Sequence, residues 1–194
     1  MIMSTVTSPE RKRIHPHKFT MWLALGSIIM MFAALTSAYI VKKEQSNWLL
    51  FPLPKIFWYS TLVILVSSFT MFLSARAFKA RDMVKYRALI TLTAVLGILF
   101  GVMQWTGFTD LRLHGIKIFG VGSNASASFL GIIVGLHVLH VLGGVIALLF
   151  LFFRAFSNKQ KNYSSVPVEI VSTYWHFVDI LWIYLFIFLS FVNR

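Results

Sequence analysis

Five ionisable side chains stand within otherwise apolar sequence: His137, His140, Glu169, His176 and Asp179. In a hydrocarbon medium such groups pair with one another, line a watery path or hold a cofactor, so each is a functional candidate. His137 and His140 are three residues apart, and a helix presents both, with Gly144, on one face. Glu169, Ser172, Thr173, His176 and Asp179 form a polar stripe on the next apolar run, with Trp175 and Trp182 on a neighbouring flank. Two imidazoles plus the Asp179 oxygen are metal-ligand types. A haem would need two histidines at similar depth. His140 lies about 14 residues from Arg154 and His176 about 7 from Glu169, a mismatch of roughly 10 Å at the helical rise per residue. A proton relay through Glu169, Ser172, His176 and Asp179 finds no continuation, because the first three apolar runs carry no charged side chain. The arrangement expected is structural. The two stripes meet on consecutive antiparallel helices, and histidine–carboxylate hydrogen bonds satisfy groups that lipid cannot.

The elements that position these residues follow from composition. Apolar residues make up 58% of the 194 and charged residues only 12%, about half the share of a soluble domain. Uncharged runs fall at 19–41, 56–75, 88–109, 118–153 and about 170–193, each long enough for the roughly 20 residues a bilayer core requires. They are continuous and not alternating, which selects helices over a barrel. The expected fold is an all-α polytopic membrane bundle of about five helices, near 19–41, 56–78, 87–109, 126–154 and 168–192. Residues 1–18 form a mobile polar segment ahead of a single membrane domain, 19–194. Gly120, Gly122, Ser123 and Asn124 are expected outside the membrane, ahead of the fourth helix. Gly131 and Gly135 have the G-x-x-x-G spacing of close helix packing, and Gly143 and Gly144 are further packing candidates. Trp22, Trp48, Trp58 and Trp105 fall near helix ends, as interfacial anchors do.

A net charge of +12 invites a nucleic-acid reading, but the basic residues sit in short segments flanking the helices. With five spans, twelve Lys and Arg lie on the N-terminal side and six on the other. The rule that basic loops stay inside then sets the N-terminus in the cytoplasm and the C-terminus outside. Without cysteine there is neither a disulfide framework nor a thiolate metal site. The basic start has the layout of a secretory signal, but its apolar run is too long and Thr36–Ala38 is a poor cleavage site. No internal repeat supports a transporter of duplicated halves.

The segment Tyr174-Trp175-His176-Phe177-Val178-Asp179-Ile180-Leu181-Trp182 is similar to the Y-W-H-F-V-D-x-x-W signature of subunit III of haem–copper respiratory oxidases. Gly135-Leu136-His137-Val138-Leu139-His140-Val141-Leu142-Gly143 resembles that family's G-[FL]-H-x-x-H-V-x-x-G. Arg154, Glu169 and Gln104 also match family positions, and the likeness covers about 19–194. Longer members have seven helices, and this sequence resembles their last five, as in the short forms of quinol oxidases and some bacterial cytochrome oxidases. Ile28 stands where many members carry an intramembrane glutamate, and Gly107 where an acid often follows the glutamine.

The resemblance implies an accessory subunit with no catalytic, cofactor-binding or metal-binding residue of its own. Haem and copper would lie in partner subunits of a bacterial inner-membrane oxidase. Its partners would be subunit I, subunit II and other oxidase subunits, with phospholipid bound and no nucleic acid. Arg154 would lie near lipid phosphate, and Trp175 and Trp182 are expected with it at a lipid or subunit interface. Cytochrome c is favoured over quinol as the electron donor of the complex, from overall likeness alone. The rival classes are a b-type haem electron carrier and a small transporter.

Overall fold

A computed structural model describes residues 16–44, 55–113, 125–156 and 165–192. Five helices fill it: α1 Pro16–Lys43, α2 Ile56–Lys79, α3 Met83–Leu113, α4 Ala125–Phe156 and α5 Val166–Val192. Each is long and apolar enough to cross a membrane. They outrun the uncharged runs because a helix continues past the hydrocarbon edge. Lys42 and Lys43 end α1, and Asp110 and Arg112 lie in the last turn of α3. Of the polar N-terminal segment, residues 16–18 open α1, and the rest lies outside the described residues. Trp48 and Gly120–Asn124 also lie outside them.

α2, α3, α4 and α5 close a ring in which each helix packs against the next and α5 returns to α2. α1 lies outside that ring and touches only α4 and α5 among the described helices. The buried residues explain the packing. Along α2 they include Phe57, Ser60, Ile64, Ser67, Met71, Ser74 and Phe78, alternately three and four apart. Along α3 the same rhythm runs through Ile90, Thr93, Gly97, Phe100, Gln104, Gly107 and Leu111. It continues through Val134, His137, Val141, Gly144, Leu148 and Leu151 on α4, and Val171, Trp175, Val178, Trp182, Leu185 and Leu189 on α5. A mean spacing of 3.5 keeps a seam on its neighbour only if the helices wind gently left-handed about one another.

Outside that stripe the surface is apolar, with Trp22, Phe69, Trp105, Ile146 and Phe191 all exposed. Lipid tails are as apolar as these side chains, so close packing and hydrogen bonding hold the helices together. Small residues let the backbones approach. A Cβ on Gly107 would stand 2.6 Å from the Phe57 ring, so an acid at this position has no room beside that ring.

Charges tie the bundle at its two ends. Glu169, in the first turn of α5, meets Lys18 of α1 at 2.6 Å and Lys79 of α2 at 3.5 Å. At the opposite end the Lys43 ammonium donates to the Val192 carbonyl of α5 at 2.7 Å. This cation sits where a helix C-terminus leaves its carbonyls unpaired. Only Ala80, Arg81 and Asp82 join α2 to α3. Asp82 N–H donates to Ala77 O and Arg81 N–H to Phe78 O, the paired bonds of a Schellman stop. Arg81 holds the left-handed position at φ 62°, where glycine is usual. The Asp82 side chain then caps α3, accepting from the Lys85 backbone N–H at 3.2 Å.

Candidate functional site

The polar groups of α5 are answered from α2. Trp175 N–H donates to the Ser67 hydroxyl at 3.2 Å, and Trp182 N–H to the Thr61 hydroxyl at 3.0 Å. His176 Nδ1 and the Ser68 hydroxyl are 2.7 Å apart. Asp179 lies between the Trp182 and His176 bonds along α5 and adjoins Ser68. It is 2% exposed, and neither carboxyl oxygen makes a hydrogen bond among the described residues. The Ser68 hydroxyl is therefore engaged with His176 while standing beside the acid.

The expected histidine–carboxylate bonds between α4 and α5 are not formed. His137 is fully buried, and neither ring nitrogen has a hydrogen-bond partner among the described residues. It stacks on Trp182 with ring centroids 5.2 Å apart and meets the Phe100 edge at 6.2 Å. His140 Nδ1 instead bonds the Leu136 carbonyl of its own helix at 2.7 Å. Its backbone carbonyl accepts from the Tyr174 hydroxyl at 3.0 Å. Phe32 of α1 covers both imidazoles, 5.8 Å from His140 and 6.5 Å from His137. Glu169 turns to the lysines at the bundle end. The geometry has a simple cause: α5 lies in the ring between α2 and α4, and its stripe faces α2. Among the described residues no three His, Asp or Glu side chains converge as a metal site requires.

Trp175 and Trp182 do not reach an interface; both are buried in the core. The Trp175 indole fits between two glycines. A Cβ on Gly97 of α3 would stand 2.7 Å from its ring, and one on Gly144 of α4 3.0 Å. Gly144 thus lies against the face of the Trp175 ring. Gly135 faces outward, with nothing within 4 Å of an added Cβ, although Gly131 is buried. Gly143 is exposed, and a Cβ added there would come only within 3.6 Å of the Tyr174 hydroxyl, an ordinary contact. Arg154 is half-buried and lines a recess with Phe78, Tyr86, Leu151, Pro167 and Val168, where the ends of α2 to α5 meet.

Sequence reasoning passed over Thr61, Ser67, Ser68 and Gly97. The signal of the first three was present as hydroxyls six and seven apart in an otherwise apolar span. It is a weak one, since Ser and Thr often bond their own helix, as Thr61 does to the Phe57 carbonyl at 2.7 Å.

Comparison with known proteins agrees with this architecture. Residues 47–193 match the family model described as cytochrome c oxidase subunit III. The probable cytochrome c oxidase subunit 3 of Mycobacterium leprae is 32% identical, over 99% of this chain and 95% of its own length. That of Nocardia farcinica is 33% identical over 98% of both chains. The cytochrome c oxidase subunit 3 of Bacillus sp. PS3 is 30% identical over 85% of this chain and 80% of its own. With five helices able to span a membrane and bacterial relatives along nearly its whole length, the chain belongs to the cytochrome c oxidase subunit III family.

Proposed function

We propose that this chain is a non-catalytic accessory subunit of a bacterial inner-membrane terminal oxidase. It stabilises the haem-bearing subunit I, holds phospholipid and supports sustained turnover and proton uptake there, while haem and copper stay in partner subunits. The observation that carries this reading is the use made of the signature segment. Trp175, His176 and Trp182 are engaged by Ser67, Ser68 and Thr61 in helix-to-helix bonds. The two buried indoles hold α5 firmly on α2, and that leaves the half-buried His176 held in place at the surface a neighbour would meet. The relatives bear the name cytochrome c oxidase, which favours cytochrome c as the donor of the complex. The excess of basic residues beside Lys18, Lys79 and Arg154 supports a cytoplasmic N-terminus. An arginine at that face also suits a phospholipid phosphate.

The test is a reduced-minus-oxidised absorbance spectrum of the tagged chain, purified first in mild detergent and then after harsh detergent strips its partners. Haem bands that leave with a copurifying large subunit support the reading. Bands that stay with this chain overturn it and make His137, His140 and His176 candidate ligands. His176→Ala and Asp179→Ala are expected to loosen assembly or hasten inactivation while haem per catalytic subunit stays unchanged.

A further inference from the structure

We propose that the α2–α5 seam around His176 docks a transmembrane helix of the haem-bearing subunit, which donates one hydrogen bond to the second imidazole nitrogen inside the hydrocarbon core. The inference rests on the accessory-subunit reading and adds to it the surface and the chemistry of contact.

Depth is the first argument. The Glu169 ion pairs and the Lys43–Val192 bond mark the two ends of α5. His176 lies within about 7 Å of the midpoint between them at 1.5 Å per residue. Headgroups begin about 15 Å from the midplane, so His176 lies about 8 Å inside the hydrocarbon edge. Satisfaction is the second. His176 is half-exposed, Nδ1 is engaged by Ser68, and Nε2 makes no hydrogen bond among the described residues. Lipid tails carry no polar atom, and ionisable groups at this depth face protein or a water-filled cavity. This face of the chain is therefore an inner face of the assembly.

The direction of the bond follows from the tautomer it sets. If the partner donates to Nε2, the imidazole proton sits on Nδ1 and points to the Ser68 oxygen. The Ser68 hydroxyl is then free to donate to the Asp179 carboxyl it adjoins, whose oxygens are otherwise unpartnered. One external donor thereby completes a chain of three side chains. Helical spacing sets Leu65 and Phe72 of α2 beside Ser68, and Ile180 of α5 beside His176. All three are exposed and supply the apolar border of the contact.

The experiment places a photo-cross-linking phenylalanine at Ile180 or Phe72 in the oxidase as it exists in membranes, with Val102 on α3 as control. Adducts with the haem-bearing subunit are expected several-fold more from Ile180 and Phe72 than from Val102. His176→Gln, which keeps an acceptor, should retain them and His176→Leu should abolish most. Adducts with lipid alone, or an unchanged yield in His176→Leu, overturn the inference. If the chain copurifies with the haem-bearing subunit but cross-links only from Val102, the docking surface is wrong and the accessory reading stands. If it copurifies with no haem-bearing subunit at all, both fail.

Discussion

α2 packs on two neighbours with the same chemical type, the hydroxyl, to different ends. Toward α3, the Thr70 and Thr93 hydroxyls bond one another at 2.9 Å, and Gln104 donates to Ser60 at 3.0 Å. Both partners there are small or neutral, and the helices close on each other around them. Toward α5, the hydroxyls of Thr61, Ser67 and Ser68 receive two indoles and an imidazole, and one carboxyl beside them goes unanswered. On the α2–α3 seam Gln104 Oε1 goes without a hydrogen-bond partner among the described residues, whereas on the α2–α5 seam both oxygens of a carboxyl do, which is the larger polar demand. A seam of the second kind costs stability within the chain and becomes useful when a neighbour completes it.

The largest effect is expected at Trp175. Trp175→Ala should cost about 3 kcal/mol or more, since it empties the space between Gly97 and Gly144 and also leaves Ser67 without its donor. Denaturant titration followed by circular dichroism in mixed micelles reads that loss, and a cost below that of Thr70→Val would sink the account. Gly97→Ala comes next, at about 1–3 kcal/mol, because its methyl would press on the Trp175 ring. Combined with Trp175→Phe its cost should shrink, and strict additivity in the double mutant would show that the two residues do not share a space.

The two seams separate more finely at their hydroxyls. Ser68→Ala should cost about 1 kcal/mol in the isolated chain, and Thr70→Val about 0.6 kcal/mol. In the assembled oxidase the gap should widen, since only Ser68 serves a group that we assign to a neighbour. Equal costs in both settings would erase the distinction.

The smallest effect lies at the turn that joins α2 to α3. Hydrogen bonds from the Lys85 ammonium, and then from its backbone N–H, hold the Asp82 carboxyl below the usual aspartate range. Its contribution is fully present above the ordinary aspartate pKa and is lost as pH falls through the depressed one. Hydrogen exchange at the first amides of α3 should quicken over that acid window in the wild type. In Asp82→Asn it should not depend on pH there beyond the intrinsic rate.

How far the sequence carried these conclusions depends on what each one needed. The spans were legible because charged residues are rare and stand at helix ends, as Lys55 and Arg154 do. The polar stripe of α5 was legible as well, since Ser172, His176 and Asp179 share a helical face. Which helix that stripe meets was not, because order along the chain does not set neighbours in a closed ring. Consecutive position suggested α4, and the partner is α2. The depth of Trp175 depends on glycines carried by two other helices, and nothing in its own segment reports them. The spacing of three and four that runs through the buried residues of α2 to α5 was readable in principle, but apolar side chains all round each helix mask it.

The attachment of α1 has a consequence for synthesis. α1 packs only on α4 and α5 among the described helices, while α2 and α3 form a hairpin through a three-residue turn. The hairpin can therefore close as soon as α3 leaves the ribosome. α1 must wait in the bilayer for its seats to be made. Nearly 150 residues separate Lys43 from the end of α5 at Val192, which at typical elongation rates is roughly 7 to 30 s. During that interval Phe32, Thr36 and Tyr39, buried in the finished protein, face lipid or an insertion factor. α1 is thus made before the helices that seat it, and a chain truncated before α4 would present it unclaimed to the cell's quality control.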